Sequence, residues 1–176
     1  MSDERPRILI FTGDGKGKTT AAMGIVLRAS GHGMPAFVLQ FVKSDQSTGE
    51  RAGAANLPHT QFVQVGMGFL PPADDERFAA HKAAAEAGLK RAAQAVVSGV
   101  YPVVVLDEIC YAVSRGLIAE SAVVAICRKA PPGMVLVLTG RGATPGLIDL
   151  VDTVTDMRPI KHGMDIGIKA QKGVEF

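Results

Sequence analysis

Thr12-Gly13-Asp14-Gly15-Lys16-Gly17-Lys18-Thr19-Thr20 is the stretch whose reading decides the fold. It follows the apolar run Arg7-Ile8-Leu9-Ile10-Phe11 and leads into the helix-forming Ala21-Ala22-Met23-Gly24-Ile25-Val26-Leu27-Arg28. Strand, glycine loop, helix is the context in which a phosphate-binding loop carries meaning. Glycines at 13, 15 and 17 free the backbone to curl, so the N–H groups of residues 15–19 are expected to converge on one concavity. The helix beginning near Thr19 directs its positive dipole end to the same point. Lys18 supplies a cation for phosphate oxygens and Thr19 a hydroxyl for a magnesium ion. The competing reading is a glycine-rich turn with a solvated lysine. One departure stands out: the usual pattern has glycine five residues before Gly17, where this chain has Thr12. The loop is in effect one residue short, and phosphates are expected to seat differently than in an ordinary hydrolase.

Working outward, 176 residues suit one domain, residues 1–176, burying about 70% of the surface exposed when unfolded. Apolar residues at 47% and charged ones at 20% indicate a globular chain. A net charge of +2 gives no strong pull toward nucleic acid or anionic membrane. No charged-then-apolar leader opens the sequence and no apolar run reaches membrane-spanning length, so a cytoplasmic location is expected. Cys110 and Cys127 lie in apolar surroundings without metal-ligand spacing and read as buried free thiols.

Downstream, Ala36–Val42 is an almost continuous apolar run, as expected of a parallel strand covered on both faces. Lys43–Pro58 reads as a long functional loop, Gln61–Val65 as a short strand, and Gly66–Pro72 as a connector carrying an exposed aromatic, Phe69. Asp74–Ser98 is the longest helix candidate, with Asp74, Asp75 and Glu76 favouring its N-terminus. Val103–Leu106 is a buried strand ending in Asp107-Glu108, followed by a helix pair broken at Arg115-Gly116. Met134–Leu138 is another strand, ending in Thr139-Gly140-Arg141-Gly142, and a short helix leads to a last strand at Thr153–Met157. This alternation predicts an α/β fold of the P-loop NTPase-like kind, a mostly parallel sheet flanked by helices on both faces. Right-handed crossovers put the C-terminal strand ends on one edge, which would gather residues 12–19, Lys43, Asp107, Glu108 and Arg141.

At that edge Asp107 and Glu108 are candidates to hold magnesium together with Thr19. Arg141, between two glycines, is placed to meet a polyphosphate or ribose, or to be a surface turn residue. Arg28 joins it among candidate nucleotide contacts, with Gly13, Asp14, Gly15, Lys16, Gly17, Lys18, Thr19 and Thr20. His162 and the tail lysines Lys161, Lys169 and Lys172 read as a solvated rim.

These motifs, with Gly31-His32-Gly33, Gln40-Phe41-Val42-Lys43, Gly49-Glu50-Arg51, Val105-Leu106-Asp107-Glu108, Thr139-Gly140-Arg141-Gly142, Asp152-Thr153-Val154, Arg158-Pro159-Ile160-Lys161-His162 and Gly167-Ile168-Lys169-Ala170-Gln171, closely resemble the P-loop type of ATP:corrinoid adenosyltransferase. The resemblance runs from Arg7 to Phe176. It implies transfer of the 5′-deoxyadenosyl group of ATP to the cobalt of a reduced corrinoid, cob(I)alamin or cobinamide, with release of triphosphate. It further implies magnesium as cofactor, ATP lying reversed relative to ordinary P-loop enzymes, an electron-donating reductase or flavoprotein partner, a homodimer and a place in cobalamin biosynthesis. Lys18 would stabilise the leaving triphosphate. Phe69 would help displace the corrinoid's lower ligand, a task the family shares between Phe and a following Thr-Trp. Here Leu70-Pro71 follow and the chain has no tryptophan. Many members also carry an extension before the first strand, where only six residues precede Arg7. Two other readings stay open from sequence: a regulatory module that binds ATP and corrinoid without transfer, and a P-loop phosphotransferase or ATPase.

Overall fold

A computed structural model describes residues 5–175. Among the described residues, six strands build one sheet: β1 (Arg7–Thr12), β2 (Ala36–Gln40), β3 (Thr60–Gln64), β4 (Val103–Asp107), β5 (Val135–Thr139) and β6 (Thr153–Asp156). Their order in space is β3-β2-β4-β5-β1-β6, and every neighbouring pair is parallel. The sheet expected to be mostly parallel is parallel throughout. Parallel neighbours need crossovers. These carry α1 (Lys18–Gly31), α2 (Gly49–Ala54), α3 (Phe78–Val97), the pair α4 (Ile109–Ser114) and α5 (Glu120–Cys127), and α6 (Pro145–Leu150).

Successive strand residues face opposite sides, and both sides are covered. On one, Ala22, Val26 and Ala29 of α1 meet Val38, Val105 and Val137. On the other, α3, α4, α5 and Leu147 of α6 meet Leu39, Leu106, Leu136 and Leu138. This double cover is why β2 and β4 are buried at every position and read as unbroken apolar runs. Truncating a fully buried leucine such as Leu106 costs about 2–5 kcal/mol. The sheet is thereby a rigid base for loops at its C-terminal edge.

Strand ends shift from the sequence expectation by one or two residues, and two differences are larger. The stretch 43–58 is not all loop, because it contains α2. Helix α3 starts at Phe78 rather than near Asp74. The physical reason is local: the Asp75 carboxylate accepts the Arg77 N–H at 2.8 Å and pairs with the Arg77 guanidinium at 2.6 Å. That turn consumes the acidic cluster before the helix begins. No helix among the described residues is long and apolar enough to cross a membrane. Cys110 and Cys127 are buried and free, and burial pushes their thiols up to about 12 and about 11.

Candidate active site

The glycine loop is shaped by what lies beside it. Thr12 stays in the β1 ladder, paired with Asp156, and its carbonyl accepts the Met157 N–H at 2.9 Å. The loop proper therefore starts only at Gly13. Gly13 takes φ +94°, and a Cβ there would stand 2.3 Å from Asp156 Oδ1 and 2.5 Å from Met157 O. On Gly15 a Cβ would meet Met157 O at 2.6 Å. The loop lies directly on the chain leaving β6, and only glycine fits.

The Gly15 N–H donates to Met157 O at 2.6 Å, so it is not among the groups facing a ligand. Within the described residues, no hydrogen bond of good geometry engages the N–H groups of Lys16, Gly17, Lys18, Thr19 or Thr20. Five backbone donors thus stand at the head of a 14-residue helix, an anion cradle shifted one residue along from the 15–19 set. Lys18 folds back over the loop and donates to Gly13 O and Gly15 O, each at 2.7 Å. Burial pushes its ammonium below the usual lysine range, against the attraction of Glu108.

Asp107 is buried at the end of β4, and all four of its acceptor directions are taken. Thr19 Oγ1 and Thr139 Oγ1 donate to its Oδ1 at 2.9 and 2.6 Å. Gln40 Nε2 donates to its Oδ2 at 2.8 Å, and Lys43 Nζ approaches the same oxygen at 3.5 Å. Lys43 Nζ also donates to Thr19 Oγ1 at 3.1 Å. Lys43 is aimed by a three-residue turn in which its N–H donates to Phe41 O at 2.6 Å, with Val42 at φ 62°. A β-branched residue in that region is strained, and the strain sits at the cleft wall.

Glu108 differs from its neighbour. It adopts φ 64° just before α4, its N–H donates to Thr139 Oγ1 at 2.9 Å, and its carboxylate has no hydrogen-bond donor among the described residues. Burial, then the nearby Asp107 charge, raises its carboxyl above the usual range, while Lys43, Lys18 and Arg141 pull the other way. Such a carboxylate gains from a cation. Glu108 with the Thr19 hydroxyl fits magnesium, whereas Asp107 has no lone pair left to offer one directly.

Two clefts of about 490 Å³ each open side by side here and share Lys18, Lys43 and Glu108. The first is walled by residues 16–20, by Gly49 and Glu50 of α2, and by tail residues 173–175. Lys16 Nζ donates to Val174 O and pairs with Glu175 at 3.8 Å. The second is more apolar, with Val42, Phe69, Leu70 and Tyr111 beside Asp45 and Arg141. Arg141 reaches back to Asp14, with Nε 3.7 Å from Oδ1. Phe69 is 103% exposed, and its loop is pinned rather than hinged. A Cβ on Gly66 would sit 2.0 Å from the Val42 carbonyl carbon, and the Gly68 N–H donates to Val42 O at 2.8 Å.

The structure thus brings together the glycine loop, Lys43, Asp107, Glu108, Arg141 and Phe69. It leaves Arg28 apart, exposed on the last turn of α1 and roughly 15 Å along the helix from Lys18. Lys161, Lys169 and Lys172 are exposed, as a solvated rim should be. Sequence reasoning gave no role to Gln40, Gln64, Thr139 or Met157. The signal for Gln40 and Thr139 is that each closes an otherwise apolar strand with a polar side chain.

The family described as ATP:corrinoid adenosyltransferase BtuR/CobO/CobP matches residues 4–176. A corrinoid adenosyltransferase of Pseudomonas aeruginosa is 43% identical over 175 residues, covering 99% of this chain and 85% of that protein. The corrinoid adenosyltransferase CobA of Salmonella typhimurium and that of Escherichia coli K12 are each 37% identical over 177 residues, covering 99% of this chain and 87% of theirs.

Proposed function

The chain belongs to the ATP:corrinoid adenosyltransferase family, and from that premise we propose that its two clefts carry out one transfer. The enzyme moves the 5′-deoxyadenosyl group of ATP to the cobalt of a reduced corrinoid. Cobalt(I) attacks the ribose C5′; the cobalt–carbon bond forms as the C5′–O5′ bond breaks, and triphosphate leaves with the electron pair. No proton has to be removed, so no general base is required. What the protein must supply is alignment of C5′ with cobalt and stabilisation of charge on the departing oxygen.

The observation that carries this reading is the pair of adjoining clefts with shared cations. The polar one holds the triphosphate on the N–H groups of residues 16–20, with Lys18 exchanging its loop carbonyls for phosphate oxygens. Lys43 at the common wall is placed for the oxygen released from C5′, and Arg141 with Asp14 borders the loop. Magnesium would be held by Glu108 and Thr19, and when bound supplies a further positive charge for the triphosphate. The apolar cleft receives the corrinoid, with Phe69 set to occupy the space below the cobalt. An electron-donating reductase or flavoprotein would supply the electron that reduces the corrinoid's cobalt(II) to cobalt(I). The open β6 edge and the exposed Ile160, Met164 and Ile166 provide a face for a second copy, as expected of a homodimer. Residues 1–176 then act as one catalytic domain in the cytoplasm.

The test is anaerobic incubation with ATP, magnesium and chemically reduced cob(I)alamin. Adenosylcobalamin should form with one triphosphate released per turnover. Diphosphate or monophosphate as the first product would overturn the reading.

A further inference from the structure

The C-terminal ends of three neighbouring strands carry polar side chains in one register row. Gln64 on β3 is the ladder partner of Gln40 on β2, and Gln40 is the partner of Asp107 on β4. Partners in register project to the same side of a sheet, so the three side chains meet. Arg51 Nη1 of α2 donates to Gln64 Oε1 at 3.1 Å, Gln64 Nε2 to Gln40 Oε1 at 2.7 Å, and Gln40 Nε2 to Asp107 Oδ2 at 2.8 Å. Asp107 in turn holds the Thr19 hydroxyl through its other oxygen.

The direction of this chain is fixed by its ends. A guanidinium can only donate and a carboxylate can only accept, so each amide between them has one permitted orientation. Reversing either amide would set two carbonyl oxygens or two NH₂ groups face to face. Gln40 is wholly buried, which makes such a mismatch costly. Gln64 is also tied to the second cleft, because its Nε2 donates to Asp45 O at 3.0 Å. The row therefore joins α2, which walls the first cleft, and the Asp45 loop, which walls the second, to the hydroxyl at the head of α1.

We infer that Arg51, Gln64 and Gln40 are positioning residues for adenosyl transfer: a one-way hydrogen-bond row that sets the Asp107 carboxylate, and through it Thr19, against the leaving triphosphate. The inference rests on the proposed reaction. Wild-type turnover in the same assays separates failure of the one from failure of the other.

Gln64→Glu is the most telling substitution, since it keeps shape and strengthens the pairing with Arg51 but removes the donor that Gln40 Oε1 needs. It should lower kcat about tenfold, the worth of one lost hydrogen bond. The Kd for ATP, measured by titration calorimetry without corrinoid, should change less than threefold. Arg51→Lys, which keeps a donor-only cation, should retain most of kcat, whereas Arg51→Met should not. Combining Arg51→Met with Gln40→Met should cost little more than the worse single change, because both break one row. Independently of activity, the Gln40 side-chain amide in a ¹⁵N spectrum should shift in Arg51→Met, although Arg51 is two hydrogen bonds away. A wild-type kcat in Gln64→Glu, additive losses in the double variant, or an unmoved Gln40 amide would overturn the proposal. So would an ATP Kd that rises in step with the loss of kcat, which would make Arg51 a direct ligand contact.

Discussion

Replacing Phe69 by alanine separates a group that acts on substrate from one that holds its own loop together. Phe69 is 103% exposed, so it buries nothing against the protein. The loop is held instead by Gly66 and Gly68 against Val42, and by Leu70, which packs on the core, and the buried Pro71. Phe69→Ala should therefore change folding stability by no more than about 0.5 kcal/mol, roughly 2 °C in Tm for a chain of this size. Bound corrinoid would bury the ring, and full burial of a phenylalanine is worth about 1.5–3 kcal/mol. That range converts to about 10- to 150-fold in rate where the ring's contact is made. The contact matters most when a weak reductant must convert cobalt(II) to cobalt(I), because removal of the lower axial base eases that step. With no tryptophan in the chain, the displacement proposed for Phe69 would be made with little help, so cobinamide, which lacks the base, should be preferred over cobalamin under weak reductant. With pre-reduced cobalt(I) both the preference and the Phe69→Ala loss should shrink. The assay follows the adenosylcobalamin spectrum under the two reducing regimes, with Tm measured on the same protein. Equal losses in both regimes, a marked fall in Tm, or no cobinamide preference would refute the reasoning.

Lys18→Ala should lower kcat about 10- to 150-fold, the loss of one charge-assisted hydrogen bond of about 1.5–3 kcal/mol, while circular dichroism stays unchanged; wild-type turnover would remove Lys18 from the reaction. Glu108→Ala should raise the magnesium concentration needed for half-maximal rate more than it alters corrinoid affinity, and an unmoved titration would place the metal elsewhere. Because the Glu108 carboxyl is held above its usual range first by burial and then by Asp107, its contribution to stability is present at low pH and is lost as pH rises through its folded-state pKa. Glu108→Gln should therefore gain Tm relative to wild type at pH 7 and not at pH 4, and the opposite trend in thermal melts would overturn that sign. Gly13→Ala combines φ +94° with a Cβ 2.3 Å from Asp156 Oδ1 and should cost about 2–4 kcal/mol and abolish ATP binding; Gly24→Ala, with nothing within 4 Å, should leave both intact in calorimetry and melting.

What was legible in sequence was what local chemistry dictates. The loop, the buried runs of β2, β4 and β5, and the acidic end of β4 all announce themselves in a few consecutive residues. Phe69 was legible as an exposed aromatic for the same reason. The row Gln64–Gln40–Asp107 was not, because its members lie 24 and 67 residues apart and only strand register makes them neighbours. The start of α3 was misplaced because Asp75 captures Arg77, a competition that composition does not resolve. Likewise no periodicity distinguishes Asp107 from Glu108. Burial does, by filling every acceptor of the first and leaving the second without a donor among the described residues.

The short loop follows from the same long-range logic. A phosphate loop gains its first residue where β1 leaves the sheet, and here β6 keeps Thr12 paired with Asp156. Met157 then claims the Gly15 N–H, so the free donors begin at Lys16 and crowd toward the helix. An ordinary P-loop enzyme breaks a bond at phosphorus, which must sit deep in the cradle beside the lysine. Breaking C5′–O5′ instead requires a carbon at the cleft's mouth, facing a second substrate. In the proposed reaction, a cradle displaced along α1, with Lys18 and Lys43 on the wall common to both clefts, would put cations where the new negative charge emerges, and Glu108 on the same wall would hold the magnesium. Extending the loop by freeing Thr12 from β6 would move the donors back toward Gly15, away from that wall. The missing residue and the unusual bond broken are, on this argument, one feature.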